Sequence, residues 1–189
     1  MNVVWDLAPH DVSIFLYLLD ETPISVSAIG GCFLQEGRQD IAFITLQFPS
    51  GVIANIHVSW VNSNKVREVQ VIGKNARIIF DDLNNLEKVK IYKKRIEMKS
   101  VEKKISGFQE KPAETFAEFQ YILREGDIVS PYIELFEPLK TQTDQYINMI
   151  VENKPIKEHV DLNVNITKIM CGIQESIKNG ALAGYPVED

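Results

Sequence analysis

Two alternating runs joined by Pro49-Ser50-Gly51 constrain this 189-residue chain most. In Asp40 to Phe48, the residues Ala42, Ile44, Leu46 and Phe48 share one face. In Val52 to Trp60, the residues Val52, Ala54, Ile56, Val58 and Trp60 share one face, while Asn55, His57 and Ser59 share the other. A period of two is that of a strand with one buried side. A tripeptide carrying Pro and Gly is a hairpin-length turn, so the two runs should pair antiparallel. Further strands are expected at Ile24 to Phe33, at Val66 to Ile72, at Ala76 to Phe80 after the turn Gly73-Lys74-Asn75, and at Lys88 to Arg95. Six strands with short connections imply an antiparallel meander.

Helical signals flank this sheet. Val12 to Leu19 is apolar almost all round, which marks a buried helix. It should run from about residue 7 to 19, because the residue before Pro23 is pushed out of the α region. Residues 100 to 134 are less regular. A second helix should begin at Glu137-Pro138, carry a stripe of Leu139, Tyr146, Ile147, Ile150 and Val151, and end at Asn153-Lys154-Pro155. In a third, capped by Asp161 and stopped by Gly180, the stripe is Leu162, Ile166, Ile169, Ile173 and Ile177. The order predicts an α+β domain: an open, mainly antiparallel sheet of six or more strands, with helices packed on one face. The other face would present Ile53, Asn55, His57, Ser59 and Val61, to water or to a second copy.

Charge and cysteine content narrow the function classes. A net charge of −6 argues against nucleic acid. From Glu87 to Lys104 there are eight basic and three acidic residues, a local +5. Such a patch can attract an acidic ligand, but lysine-rich edge strands that resist edge-to-edge pairing account for it better. Cys32 and Cys171 lie far apart, with no CxxC and no clustered histidine, so neither a zinc site nor a disulfide framework is indicated. Both are expected to be buried and reduced, as in a cytoplasmic protein. No apolar run approaches the ~20 residues that span a bilayer, and no signal peptide is visible. Asn165-Ile166-Thr167 is then a chance sequon.

The chemistry-bearing segment is Trp5-Asp6-Leu7-Ala8-Pro9-His10-Asp11. Residues four apart in a helix stand on one face, so Asp6 lies below His10. A carboxylate in that place can hold the imidazole in one tautomer for general acid/base work. Two plainer readings compete with this one. Asp6 can be the helix N-cap, although Pro9 would then be the third helical residue and lacks an N–H to donate. His10 can be a satisfied interior histidine. His57, in mid-strand, reads as a surface or interface residue. Lys65 and Arg67 follow Asn62-Ser63-Asn64 and could hold an anion, although exposed turn cations are common. The chain has no G-x-G-x-x-G and no G-x-x-x-x-G-K-[ST], and Gly30-Gly31 lacks a third glycine at the right spacing. It therefore lacks the usual strand-turn-helix cradle for a dinucleotide.

Asp6-Leu7-Ala8-Pro9-His10-Asp11 with the helix after it resembles the start of the C-terminal domain of the Gfo/Idh/MocA oxidoreductases, which include glucose–fructose oxidoreductase and inositol dehydrogenase. The resemblance continues through Phe48-Pro49-Ser50-Gly51-Val52-Ile53-Ala54, Val58-Ser59-Trp60, Lys65-x-Arg67, Val71-Ile72-Gly73 and Glu137-Pro138-Leu139. It implies that residues 1–189 are one substrate-binding and oligomerisation domain of a two-domain enzyme. An N-terminal Rossmann domain, absent from this chain, would bind NAD or NADP. Asp6 and His10 would line the substrate site as its catalytic pair. The substrate would be a sugar, sugar nucleotide or cyclitol, and the open sheet face would make a homo-oligomer, dimer or tetramer. Glu110-Lys111-Pro112 has the letters of the family's catalytic lysine motif but lies after the strands, so Lys111 is not assigned that role. The chain alone would bind no cofactor or metal and be inactive. The alternative is a non-catalytic dimerisation or sugar-binding module.

Overall fold

The computed structural model describes residues 1–93, 126–134, 136–153, 155, 157 and 159–180, and the backbone alone of 95–100, 119–124, 158 and 185–186. Glu110-Lys111-Pro112 lies outside the described residues, as does part of the Glu87–Lys104 stretch. The elements in order are α1 (Val3–Leu19), β1 (Ser25–Gly31), β2 (Ile41–Gln47), β3 (Ile53–Ser59), β4 (Glu68–Ile72), β5 (Arg77–Asp81) and β6 (Val89–Tyr92). There follow β7 (Arg95–Ser100), β8 (Phe119–Arg124), β9 (Ile128–Val129), α2 (Pro138–Val151), α3 (Lys157–Lys178) and β10 (Tyr185–Pro186). They form two compact units, Met1–Ser63 with Pro138–Asp189, and Asn64–Glu137.

The first unit holds the core. Its sheet runs β10-β1-β2-β3, every pair antiparallel. The β2–β3 hairpin closes as expected: Phe48 N donates to Val52 O (3.0 Å) and Gly51 N to Phe48 O (2.9 Å). Gly51 takes φ 85°, a left-handed conformation that suits glycine. Register places Ala28, Ile44 and Ile56 in one row on the inner face. That face is buried under α1, through Val3, Val4, Ala8, Val12 and Leu16, and under α3, through Ile169, Met170 and Ile173. The small residues Ala28 and Gly30 keep β1 low where α3 crosses. A Cβ on Gly30 would lie 3.4 Å from the Ile177 side chain and 2.8 Å from Gln39 Cγ.

The architecture is α+β with antiparallel sheets and helices, as the element order predicts. The strands divide over separate sheets rather than one meander. The first sheet ends where the Ser59 hydroxyl accepts the N–H groups of Val61 (3.1 Å) and Asn62 (3.2 Å) and turns the chain. In the second unit β4-β5-β6-β9 form one antiparallel sheet, and β7-β8 are a separate pair. Lys88, just before β6, pairs with Asp82 (3.0 Å) and Lys90, within it, with Glu87 (2.8 Å), so both carry local counter-charges. Arg67 approaches Asp82 at 3.9 Å.

Three expectations need correction. Helix α1 starts at Val3, about one turn before residue 7, because Asn2 is the N-cap and its Oδ1 accepts from Trp5 N at 3.1 Å. Asp161 lies inside α3, which begins at Lys157 just past Pro155. Cys32 and Cys171 are both exposed, one just past the end of β1 and the other on the outer side of α3.

Candidate functional site

The site begins with how α1 is anchored. Asn2 caps the helix and also donates through Nδ2 to Gln39 Oε1 (2.6 Å) and to Gln174 Oε1 (3.2 Å) of α3. Val3 N donates to Gln39 O at 3.0 Å. Arg38 Nε donates to Met1 O. The start of α1 is thus tied to the β1–β2 connection by backbone and side chain together.

That connection is itself fixed from within. Asp40 is 1 % exposed. Its Oδ2 accepts the N–H groups of Phe33 (2.6 Å) and Leu34 (2.5 Å), and its backbone oxygen accepts Trp60 N at 2.8 Å. Trp60, one residue past β3, is therefore held by its backbone. The Arg38 guanidinium lies 5.5 Å from the centre of its indole, a cation–π distance.

From this position Trp60 Nε1 donates to Asp6 Oδ2 at 2.9 Å. The structure removes the capping role from Asp6, since Asn2 fills it and Asp6 sits in the first turn proper. Among the described residues the side-chain bond of Asp6 runs to Trp60, not to His10. Asp6 is half-buried and His10 is exposed one turn later. The His10 backbone oxygen accepts the Ser13 hydroxyl at 2.7 Å. Pro9, inside the helix, gives up the N–H that would have bonded Trp5 O.

The perturbed carboxyl in this segment is that of Asp11. Burial raises its pKa above the ordinary 3.8, and the neighbouring His10 charge pulls it the other way. At the start of α1, Met1, Asn2, Trp5, Gly37 and Arg38 line an open depression of about 450 Å³. Trp60, Arg38 and the state of Asp11 were not singled out from sequence. Trp60 looked like the last inward residue of a strand, and Asp11 adjoined the candidate histidine.

His57 is stacked on Phe43, ring centres 4.4 Å apart and planes at 14°, on the outer face of β1–β3. That face consists of Ser25, Ser27, Ile29, Gly31, Ile41, Phe43, Thr45, Gln47, Ile53, Asn55, His57 and Ser59. None is Lys, Arg, Asp or Glu, in a chain that is 24% charged. Its polar groups pair within the face: Thr45 donates to Asn55 Oδ1 (3.0 Å) and Ser25 to Gln47 Oε1 (2.8 Å).

No dinucleotide cradle is built here by the described residues. The glycine-bearing turns at Gly37, Gly51 and Gly73 join antiparallel strands, not a strand to a helix. Nor do the described residues group three or more His, Cys, Asp or Glu that could hold a metal. No helix among them is long and apolar enough to cross a membrane.

Residues 2–79 match the model of the GFO/IDH/MocA C-terminal domain. No curated protein sequence matches the chain. Among solved structures it resembles UDP-N-acetylglucosamine 3-dehydrogenase from Acidithiobacillus ferrooxidans, at 15% identity and a TM-score of 0.67, over 95% of this chain and 48% of that one. Levoglucosan dehydrogenase, solved with NADH, matches at 11% identity and 0.68, over 99% and 50%. The WlbA dehydrogenase from Bordetella pertussis, solved with NADH and UDP-GlcNAcA, matches at 13% and 0.59, over 96% and 44%. At these identities the likeness is one of fold. The chain spans about half the length of each of these three enzymes.

Proposed function

We infer, from the GFO/IDH/MocA C-terminal domain matched over residues 2–79, that this chain is the substrate-gripping and self-associating part of an NAD(P)-dependent oxidoreductase. Its substrate class is a sugar, sugar nucleotide or cyclitol hydroxyl. The observation that carries the reading is the Asp6–His10 segment on a helix whose start is anchored by Asn2, Gln39 and Gln174. Hydride exchange belongs to a nicotinamide that these residues do not hold, supplied by a dinucleotide-binding domain of the same enzyme. His10 gives or takes the hydroxyl proton, and its exposure leaves the imidazole open to a ligand. Asp6 accepts a hydrogen bond from a substrate hydroxyl.

The charge-free outer face of β1–β3 serves a second copy of the chain. A two-fold axis sets a patch against itself, where like charges would repel, and a face without charge avoids that cost. The chain alone is expected to be inactive.

The native polypeptide tests this reading. A reading frame that continues upstream into a strand–GxGxxG–helix segment supports it, provided the product reduces NAD⁺ or NADP⁺ with a sugar-type alcohol. A native protein of this length with no dinucleotide-binding segment would contradict it and favour the non-catalytic binding module.

A further inference from the structure

We propose that Trp60 is the positioning residue of this site, and that Arg38 holds Trp60 in place. The proposal rests on the reading of Asp6 as a substrate-gripping carboxylate. Indole Nε1–H can only donate, so Asp6 must meet it as an acceptor. The bond at 2.9 Å goes to Oδ2, which leaves Oδ1 to accept from a ligand hydroxyl. A half-buried helix carboxylate with no fixed partner would otherwise sample several rotamers. Here one oxygen is pinned from a second element, 54 residues further along the chain.

The donor is itself immobilised from two sides. Its backbone N–H bonds Asp40 O at 2.8 Å, and Asp40 is a buried residue. Its ring lies under the Arg38 guanidinium, and Arg38 is in turn bonded to Met1 O and to Gln35 Oε1 (3.5 Å). Position therefore passes from the β1–β2 connection through the Trp60 ring to Asp6. Arg38 also lines the depression beside Trp5, so a ligand entering there would meet the group that steadies Trp60. A helix carboxylate braced by a ring from a neighbouring strand end holds geometry better than a helix side chain alone.

The experiment has two arms. In the chain labelled with ¹⁵N-tryptophan there are two indole N–H resonances, from Trp5 and Trp60, and Trp5→Phe assigns them. Asp6→Asn should move the Trp60 indole proton upfield, since a charged acceptor is replaced by a neutral one. Arg38→Gln should broaden or shift the same resonance while the fold is kept. In the complete polypeptide, assayed with NAD⁺ or NADP⁺ and with UDP-N-acetylglucosamine, glucose or myo-inositol, Trp60→Phe should lower kcat/KM by about 10- to 100-fold. That is the range for loss of one hydrogen bond to a charged group. The loss should vanish in an Asp6→Asn background, and Trp60→His, which restores a ring N–H, should recover part of it. Additive losses in the two backgrounds would mean that Trp60 is merely structural, and would overturn the proposal. A Trp60 resonance indifferent to Asp6→Asn would overturn it whatever the activity. An inactive unmutated polypeptide with an Asp6-dependent resonance would instead overturn the dehydrogenase reading and leave the Trp60–Asp6 pairing supported.

Discussion

Ser176→Ala tests how the core is held. Ala28 lies on β1, whose pairing with β10 reaches only Ser25 and Val26. Among the described residues, no strand lies beyond that point on the outer edge of β1. The Ala28 N–H instead donates to Ser176 Oγ of α3 at 2.9 Å, and Ser176 is 2 % exposed. The hydroxyl therefore completes the strand edge inside the core. Its removal strands a buried N–H, at a cost of about 1–3 kcal/mol. The deleted oxygen leaves little space, so the cavity contribution is small against the lost bond. At roughly 3–4 °C per kcal/mol for a unit of this size, the melting temperature should fall by about 3–12 °C. Both tryptophans belong to the Met1–Ser63 part of this unit, so tryptophan fluorescence in urea follows its unfolding directly. The midpoint should drop with an unchanged slope, and the Ala28 amide should exchange faster than its neighbours on β1. A change under ~0.5 kcal/mol, with Ala28 exchange unaltered, would refute the claim that Ser176 completes the edge.

Three further outcomes follow from the same geometry. The Asp11 pKa is raised in the fold by burial, so the fold binds that proton more tightly than the unfolded chain does. Stability is then lost as pH rises from the ordinary carboxylate value through the folded one. Asp11→Asn should stabilise the chain at neutral pH and make no difference well below pH 3.8, as thermal melts at the two pH values would show. Asn2→Ala removes an N-cap and two amide bonds, and should cost about 1–2 kcal/mol in urea unfolding. Phe43→Glu puts a charge at the centre of the uncharged sheet face and should weaken the proposed self-association in analytical ultracentrifugation without loss of secondary structure.

The hairpin was readable in the sequence because both of its determinants are local. Strict alternation fixes the buried face, and Pro49-Ser50-Gly51 fixes the turn. The start of α1 was not readable for a tertiary reason. Asn2 is secured as a cap by bonds to Gln39 and Gln174, and neither lies in the window that a helix signal covers. The local signal instead starts the helix near residue 7, with Asp6 as a candidate cap that Pro9 counts against. After β3 the Ser59 hydroxyl accepts the N–H groups of Val61 and Asn62 and turns the chain, a side-chain bond that strand alternation does not reveal. Asp161 misled in the same way as Asp6: a capping residue type within a helix that had already begun after Pro155. In the candidate site, the four-residue spacing of Asp6 and His10 follows from the helix alone. The partner of Asp6 does not, because the Trp60 indole reaches it from the far end of β3.

The most direct test of the account is the turnover of the complete polypeptide with and without the His10 imidazole. His10→Ala should lower kcat by ~10²–10⁴-fold with the fold and cofactor affinity preserved, as expected for lost acid/base catalysis. A variant that turns over its sugar-type alcohol as fast as the unmutated enzyme would remove His10 from the chemistry and contradict the account.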